Sequence, residues 1–308
     1  MNSLTVLTPG LLTTVQDLGR EGYGPMGVSA SGAADALALR IGNRLLGNPE
    51  DAAALEMTLL GGTLRFSAET CVAISGSDFG ATLDDQTLAT HTAFKVQPAQ
   101  TLQFGPTKSG ARAYLCVRGG LDVPKVLGSR STHLLSGLGG WAGRALRKGD
   151  VLPIGSDLKC GNSADRSAAW KELESTRGTV RVTQGPQSES FSESVRKQFV
   201  GQSYVVTEEA NRMGIRLKGT QHQLAATEDM ITEGVSLGAI QVTPSGQPII
   251  LFVEQQTTGG YPKIANVIAA DFSSVGQLRP RDEIRFELVT MDAARELFRE
   301  QELLFASA

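Results

Sequence analysis

Four loops of this sequence carry the side chains that could serve a ligand, and the richest of them is LFVEQQTTGGYPKIA, Leu251–Ala265. Its apolar start is typical of a buried strand, and its end combines amides, hydroxyls and glycines. We predict that Glu254 and Lys263 move protons here as general acid–base groups. The ligand-binding residues predicted in this loop are Gln256, Thr258, Gly259, Gly260 and Tyr261.

A second candidate loop, TTVQDLGREGYGPMGVSASGAAD, spans Thr13–Asp35. Loops of this length in compact domains usually have a function. The guanidinium fork of Arg20 suits a substrate carboxylate. Ser29 and Ser31 precede a helix, so these serines and the first free N–H groups of that helix could bind an anion. A helix cap by Ser31 is a compatible alternative.

Two further loops contribute glycine and arginine. In VRGGLDVPKVLGSRSTHLLSGLGG, Val117–Gly140, the residues Arg118, Gly119 and Gly120 are predicted to bind substrate, since glycine lets the backbone approach a planar ligand closely. In ANRMGIRLKG, Arg212 is the favoured carboxylate-binding residue because it lies nearer the turn than Arg216. His133 could act as a base, although an ordinary surface histidine is the favoured interpretation.

Together these loops supply amides, carboxylates and cations but no strong nucleophile. Such a set suits recognition of a small amide, urea or carboxylate, with Lys or Glu moving protons. We expect two of these loops, Thr13–Asp35 and Leu251–Ala265, to line the same cleft. The alternative is that all four loops are only well-made turns between strands.

Several familiar motifs fail or are missing. GLGGWA, at residues 137–142, fits the dinucleotide fingerprint but lacks the following helix that would receive a pyrophosphate. The sequence contains no G-x-S-x-G elbow, no Walker loop and no C-x-x-C. Its three histidines are isolated, which argues against a metal site built by this chain alone.

The chain repeats itself, which indicates two copies of one β domain. SGARAYLCVR at residues 109–118 matches SGQPIILFVE at residues 245–254, and LRKGDVL at residues 146–152 matches LRPRDEI at residues 278–284. Three further matches keep the same order along the chain. The alternative is that strand–turn–strand units resemble one another in any β protein.

The elements that would position these loops are mostly short strands, with few helices. Helices are predicted at ADALALRIGNRLLGN, which ends at Gly47, Asn48 and Pro49, at SESVRKQFVG, its counterpart in the second copy, and at the C-terminal TMDAARELFREQELLF. The sequence therefore predicts barrel-like β domains at 1–155 and 179–290, a polar linker with a short helix at 156–178, and a C-terminal helix at 291–308.

Composition excludes several classes of protein. The net charge of −3 and the 6% aromatic content favour neither nucleic acid nor an anionic membrane. No secretory signal or membrane-spanning run is visible. The three cysteines are odd in number and widely spaced, so we expect reduced thiols and a cytoplasmic location.

Five long motifs now identify a resemblance. The segments TTVQDLGREGYGPMGVSASGAADALALRIGNRLLGN, RGGLDVPKVLGSRST, GRALRKGD, NRMGIRL and QTTGGYPKIANVIAAD resemble the allophanate hydrolase subunit 2 family, also called the biotin-dependent carboxyltransferase family. That family includes the C subunit of bacterial 5-oxoprolinase, part of the carboxyltransferase domain of urea carboxylase, and an antagonist of a sporulation-kinase inhibitor. The resemblance covers roughly residues 4–290.

The resemblance implies two cyclophilin-like β-barrel domains and a hetero-oligomeric complex with a subunit 1 (5-oxoprolinase B-like) homologue. For a stand-alone bacterial chain it implies 5-oxoprolinase, which opens 5-oxoproline to glutamate at the expense of ATP, with a lactam-utilisation-type A component as the third member. Little activity is then expected of the chain alone, and ATP is expected on a partner.

Two other functions stay open under the resemblance. One is biotin-dependent carboxyl transfer to urea or a similar amide, with biotin carried by another protein because no A-M-K-M biotinylation site is present. The other is a non-catalytic regulator that binds a kinase-inhibitor homologue. Glu254 stands where many relatives have Asp, and Ser29 follows Gly-Val where they have Pro, which leaves the substrate less defined than the family.

Overall fold

The computed structural model describes residues 2–156, 178–219 and 230–307. Among these, residues 2–20 and 31–156 form one compact unit, and residues 21–30, 178–219 and 230–307 form another. The segment Glu21–Ala30, which the sequence assigned to the first domain, thus belongs to the second unit. Residues 157–177 of the predicted linker, with its short helix, lie outside the described residues.

Both units are mainly β, as the sequence predicted. The first unit contains helix α1 (Ala36–Leu46) and the strands β1 (Ser3–Thr8), β2 (Leu12–Gln16), β3 (Ala54–Thr58), β4 (Thr63–Phe66), β5 (Thr70–Gly76), β6 (Thr82–Leu83), β7 (Gln86–Thr87), β8 (Thr92–Val96), β9 (Thr101–Gln103), β10 (Arg112–Val117) and β11 (Val151–Pro153).

The second unit contains the strands β12 (Thr179–Gln184), β13 (Ser203–Val206), β14 (Gly214–Gly219), β15 (Glu233–Gly234), β16 (Ala239–Val242), β17 (Pro248–Leu251), β18 (Thr258–Gly259), β19 (Lys263–Val267) and β20 (Glu283–Leu288). Its helices are α2 (Glu193–Gly201), α3 (Phe272–Gly276) and α4 (Met291–Ser307), with 3-10 turns at Gly24–Met26, Ser188–Ser190 and Ala269–Asp271.

Two antiparallel sheets form the first unit. One has the strand order β11-β1-β4-β9-β6-β7, and the other has the order β2-β3-β10-β5-β8. Side chains of both sheets share one apolar core, which includes Leu4, Leu55, Phe66, Ile74 and Leu115. In β1 and β4 buried and more exposed side chains alternate, whereas β3, β5 and β10 are buried along nearly their whole length. The sheet of β3, β5 and β10 therefore has both of its faces covered.

Helix α1 covers the five-stranded sheet through the apolar face that the sequence predicted. Leu37, Ile41 and Leu45 recur at helical spacing and are buried. The helix ends at Gly47, whose φ of 68° is the left-handed conformation that glycine adopts at little cost. The predicted helix and its stop signal are therefore confirmed.

The second unit is a closed barrel with the strand order β12-β19-β16-β17-β14-β13-β20. Closure removes free strand edges, and buried side chains such as Val182, Tyr204, Ile240 and Ile250 fill the interior. A two-stranded ribbon of β15 and β18 is a separate small sheet. The helices predicted at SESVRKQFVG and at the C-terminus are confirmed as α2 and α4.

One turn recurs in both units, at the pair of segments that the sequence aligned as LRKGDVL and LRPRDEI. Gly149 and Arg281 both have positive φ, 91° and 74°, in these turns. Asp150 accepts a hydrogen bond from the backbone N–H of Arg147 at 2.7 Å, and Asp282 accepts one from that of Arg279 at 2.9 Å. The shared turn supports the prediction that the two units are copies of one β domain. The rest of that prediction stays untested.

The cysteines differ from the sequence-based expectation. Cys71 is disulfide-bonded, so the prediction of reduced thiols is wrong at this position. Cys116 is a free thiol, and its burial raises its pKa well above the ordinary value. Among the described residues, no helix combines the length and apolar composition that crossing a bilayer requires.

Candidate functional site

A buried lysine lies at the start of β19 in the barrel. Lys263 is 3% exposed, and its ammonium group donates a hydrogen bond to Oε1 of Glu233, a side chain that is 46% exposed. The side-chain amide of Gln187 donates to the same oxygen at 2.8 Å and accepts from the backbone N–H of Lys263 at 3.3 Å. Hydrogen bonds from Lys263 and then from Gln187 lower the pKa of Glu233.

Amide groups lie beside this pair. Gln241, on β16, donates from Nε2 to the carbonyl of Tyr261 at 3.3 Å, and its Oε1 accepts from Nε2 of Gln256 at 3.1 Å. A Cβ on Gly259 would come within 2.5 Å of Nε2 of Gln241, so the amide of Gln241 lies directly against the backbone of Gly259. The side chains of Gln256, Thr258 and Tyr261 are exposed at this surface, next to the amide of Gln241.

The β15–β18 ribbon brings Glu233 to this cluster. Glu233 pairs with Gly259 and Gly234 pairs with Thr258. Thr232, next to the ribbon, lies close to Gly260, where an added Cβ would be 3.2 Å from the hydroxyl oxygen of Thr232. The ribbon thus lies against the two adjacent glycines of the QTTGG motif, and it supplies a carboxylate that the motif itself lacks.

Glu254 and Arg212 form a buried ion pair in the same unit. Nε of Arg212 lies 2.5 Å from Oε1 of Glu254, and the backbone N–H of Glu254 donates to the carbonyl of Arg212 at 2.8 Å. Both side chains are buried. The pair clamps the turn after β17 to the bend before β14. The predicted catalytic role of Glu254 and the predicted substrate contact of Arg212 stay predictions, whereas the geometry favours a positioning role for both.

In the first unit, Asp17 is the centre of a hydrogen-bond network. Its carboxylate accepts from the hydroxyls of Ser129 and Ser131, from the N–H of Gly19 at 2.8 Å and from the N–H of Arg130 at 2.5 Å. Four donors to one buried carboxylate hold the end of β2 against residues 128–132.

Arg20 and Ser31 join the same network. Nη2 of Arg20 donates to the carbonyl of Ser131 at 2.5 Å, and the hydroxyl of Ser31 donates to the carbonyl of Thr132 at 2.7 Å. Both side chains are buried, as is that of Ser29. Burial and backbone partners indicate that Arg20 and Ser31 fix the loop. The contacts with substrate predicted for all three residues stay predictions.

The N-terminus of α1 differs from the expectation, because Asp35 rather than Ser31 is its cap. Oδ1 of Asp35 accepts from the N–H of Ala38 at 2.9 Å, and Glu56 accepts from the N–H of Ala34 at 2.8 Å. The carboxylate of Asp35 thus occupies one of the first N–H groups of α1, and this N–H gives the predicted anion site no support. Burial, followed by the charges of Glu56 and Asp35, raises the pKa of Tyr114 well above its usual range.

Arg118 and the two glycines after it have different surroundings. Nη1 of Arg118 donates to the carbonyl of Leu46 at the C-terminus of α1, which is a helix-capping role. Gly119 and Gly120 have positive φ and line a polar cleft of about 240 Å³. The other residues that line this cleft with charged side chains are Asp17, Asp51, Asp122, Lys125 and Arg130.

His133 and the GLGGWA segment lie in the turns of the first unit. His133 is buried rather than on the surface, and its Nδ1 accepts from the N–H of Ser136 at 3.1 Å. Residues 137–143 consist of turns and bends with one isolated bridge, at Leu138. His222 lies outside the described residues. In the three described ranges, no group of three His, Cys, Asp or Glu side chains is placed to hold a metal ion.

The second unit thus brings together Lys263 and the QTTGGY residues, while Arg212 and Glu254 form a separate pair. The expected cleft shared with the loop at Thr13–Asp35 joins residues of both units and stays a prediction. Sequence reasoning missed Glu233, Gln187 and Gln241, which lie 76 to 22 residues from Lys263 along the chain. Gln187 follows a strand–Gly-Pro turn, which was the one local signal that could have identified it.

Known proteins match this chain along most of its length. The profile described as "Carboxyltransferase domain, subdomain A and B" matches residues 26–288. The C subunit of 5-oxoprolinase from Haemophilus influenzae is 37% identical over 290 residues, covering 94% of this chain and 92% of that protein. The protein of the same name from Escherichia coli is 36% identical over 302 residues, covering 98% and 96%.

A solved structure resembles the chain equally along its length. The crystal structure of the K. lactis urea amidolyase superposes with a TM-score of 0.90 at 35% identity. The match covers 97% of this chain but only 19% of that much larger protein.

Proposed function

The chain belongs to the family of the carboxyltransferase domain, subdomains A and B, and on this premise we propose that it acts as the C subunit of an ATP-dependent 5-oxoprolinase. The observation that carries the proposal is the likeness to two bacterial 5-oxoprolinase C subunits along nearly the whole of both sequences. The reaction is the hydrolysis of a cyclic amide, 5-oxo-L-proline, to L-glutamate.

The barrel cluster suits such a substrate because 5-oxoproline carries one carboxylate and one lactam amide. The ammonium of Lys263 matches the carboxylate, and Gln187 donates toward the same point. The amide side chain of Gln256 and the hydroxyl of Thr258 are exposed beside it and match the lactam C=O and N–H. In this proposal the Arg212–Glu254 pair holds the loop that presents these groups.

Partners complete the proposed enzyme. A subunit 1 homologue and a lactam-utilisation-type A component would assemble with this chain, and ATP would bind to one of them, since the sequence has no Walker loop. The test is co-expression of the chain with both homologues, followed by an assay for ATP-dependent glutamate formation. Glutamate from the complex but not from the isolated chain is the expected result. Full turnover by the isolated chain would contradict its assignment as a dependent component.

A second function has its own support in the structural match to urea amidolyase. In that case the chain would transfer a carboxyl group from biotin, held by another protein, to urea or a similar amide. Carboxylation of urea by a complex with a biotinylated partner, without glutamate formation, would select this alternative. If neither complex turns over but the chain binds a kinase-inhibitor homologue, the regulatory function is favoured.

A further inference from the structure

We propose that Lys263 and Gln187 form a binding site for a planar carboxylate-type anion, and that Glu233 is a built-in ligand of this site which the substrate anion displaces. The inference rests on the proposed function in so far as it places the substrate at the barrel cluster. It goes beyond that function in assigning the anion site and a competing internal carboxylate.

Two donors converge at this site. Nζ of Lys263 and Nε2 of Gln187 both donate to one oxygen, Oε1 of Glu233. Gln187 is in turn oriented by the backbone N–H of Lys263, to which it offers its Oε1. Two oriented donors that meet at one point would bind the oxygen of any carboxylate in the same way.

The two members of the ion pair are unequally buried. Lys263 is 3% exposed, so its ammonium needs an anion at all times, because an unpaired buried charge is costly. Glu233 is 46% exposed, so its carboxylate can return to water at little cost. The lysine thus always requires a ligand, whereas the glutamate can be replaced.

Glu233 also lies on a very short element. Strand β15 has two residues, and it is held by two residue pairs to the equally short β18. Neither strand belongs to the barrel. A short ribbon with few hydrogen bonds can move with little loss of free energy, which permits the carboxylate to leave without disturbing the barrel.

The Arg212–Glu254 pair, in the same unit, is an ion pair whose carboxylate is fixed in place. There both side chains are buried, and backbone atoms of the same two residues also bond to each other. The side chain of Arg212 is 5% exposed, and its carboxylate partner Glu254 is 3% exposed, so neither member of this pair is open to water as Glu233 is. The contrast assigns the exchangeable ligand to Glu233 and not to Glu254.

The ligand class follows from the neighbouring groups. A small carboxylate next to an amide-lined surface indicates an acid that also carries an amide, such as a lactam acid. Bicarbonate presents the same planar oxygens without the amide. Both share the chemistry of a planar oxyanion, and the experiment must separate them.

The experiment is calorimetric titration of the full chain with three probes: 5-oxoproline, bicarbonate, and 2-pyrrolidinone, which is the lactam without the carboxylate. The variants are Glu233→Gln, which removes the competing charge, and Lys263→Met, which removes the cation of the site but keeps the donor Gln187. Glu193→Gln is the matched control, because Glu193 pairs with Lys197 on the surface of α2 and both are exposed.

We expect Glu233→Gln to bind the anion about fivefold more tightly than the wild type, as the loss of one half-exposed pair predicts. Lys263→Met should bind it about tenfold more weakly. Glu193→Gln should match the wild type, and 2-pyrrolidinone should bind all variants alike. The anion that shows the fivefold gain identifies the ligand, lactam acid or bicarbonate.

Equal or weaker anion binding by Glu233→Gln, or no binding of either anion to any variant, would overturn the proposal. Glu233→Asp is a second test, because its shorter side chain holds Lys263 less well. The affinity of this variant for the anion should fall between those of the wild type and Glu233→Gln. Thermal unfolding of each variant shows that the barrel is intact.

The outcome is independent of the activity assay. A fivefold gain in affinity without glutamate formation by the complex would refute the proposed enzyme and keep the anion site. Glutamate formation by the complex, without any effect of Glu233→Gln on anion binding, would keep the proposed enzyme and refute the anion site.

Discussion

The carboxylates of the two units are held in different ways around the residues that the sequence singled out. Asp17, in the first unit, is buried and accepts from two hydroxyls and two backbone N–H groups. Glu233, in the second unit, is half exposed and accepts from two side chains on other elements. The number and type of donors, rather than the residue type, thus separates a structural carboxylate from one that can exchange.

The cations of these loops also differ in whether their hydrogen-bond partner is fixed or can be exchanged. Arg20 and Arg118 donate to main-chain carbonyls, which cannot leave, and both serve local packing. Lys263 donates to a carboxylate on a short ribbon outside the barrel. The exchangeable partner makes Lys263 the strongest ligand candidate of the three cations, while the substrate contacts of Arg20 and Arg118 stay predictions.

The largest effect is expected from Asp17→Asn in the first unit. The amide keeps one acceptor but turns an NH₂ group toward donors such as the N–H of Arg130, so a buried charge-assisted network is lost. We expect the free energy of unfolding to fall by about 4 kcal/mol, as measured by urea denaturation at pH 7. Asp51→Asn, an exposed carboxylate of the same cleft, is the control and should change it by less than about 0.5 kcal/mol.

A loss of stability as small as that of the control would mean that the Asp17 network does not hold the loop. The distinction between a fixed carboxylate at Asp17 and an exchangeable one at Glu233 would then lose its main support.

Glu254→Gln tests whether the second unit also contains a fixed carboxylate. The buried Arg212 would lose its anionic partner, so we expect the free energy of unfolding to fall by about 3 kcal/mol. Glu209→Gln is the matched control, since Glu209 pairs with Arg216 and both are exposed. Its change should stay below about 0.5 kcal/mol.

The same variant separates the two roles that Glu254 could have. A stable Glu254→Gln protein whose assembled complex loses turnover would establish the catalytic role predicted from sequence. Loss of stability, with normal turnover by the folded fraction, would establish the positioning role that the geometry favours.

Much of the fold could be predicted because its signals are local. The apolar face of Leu37, Ile41 and Leu45 and the stop at Gly47 define α1 within eleven residues of sequence. The segments LRKGDVL and LRPRDEI align by sequence alone, and the structure shows that in each an Asp accepts from the backbone N–H three residues earlier. Such patterns need no knowledge of distant residues.

The site was harder to predict because its contacts are long-range. Glu233 meets Lys263 from 30 residues away, and Arg212 meets Glu254 from 42 residues away. A loop sequence shows which groups are available but not which partner will neutralise them. The sequence alone thus does not show that Asp35, rather than Ser31, caps α1, or that Arg118 donates to the carbonyl of Leu46. The ligand role of Arg118 stays a prediction.

The smallest expected effect compares the recurring turn in the two units, at Asp150 and Asp282. Both Nη atoms of Arg144 donate to the carboxylate of Asp150, at 2.8 and 2.9 Å, whereas Asp282 receives one side-chain bond from Arg279 at 3.3 Å. The bonds from Arg144, followed by the N–H of Arg147 despite partial burial, lower the pKa of Asp150 to about 2. We expect Asp150→Asn to cost about 1 kcal/mol at pH 7 and Asp282→Asn about half of that.

The pH dependence of this difference has a defined sign. The carboxyl of Asp150 has a lower pKa in the folded protein than its ordinary value of 3.8, so its stabilisation is fully present above about pH 4. It is lost as the pH falls through about 2, because the folded state must then also bind the proton. The difference in unfolding free energy between wild type and Asp150→Asn should therefore shrink to roughly half by pH 3. Urea denaturation of both proteins at pH 7, 4 and 3 measures it, and a difference that stays constant over this range would show that Arg144 contributes packing rather than charge at this turn.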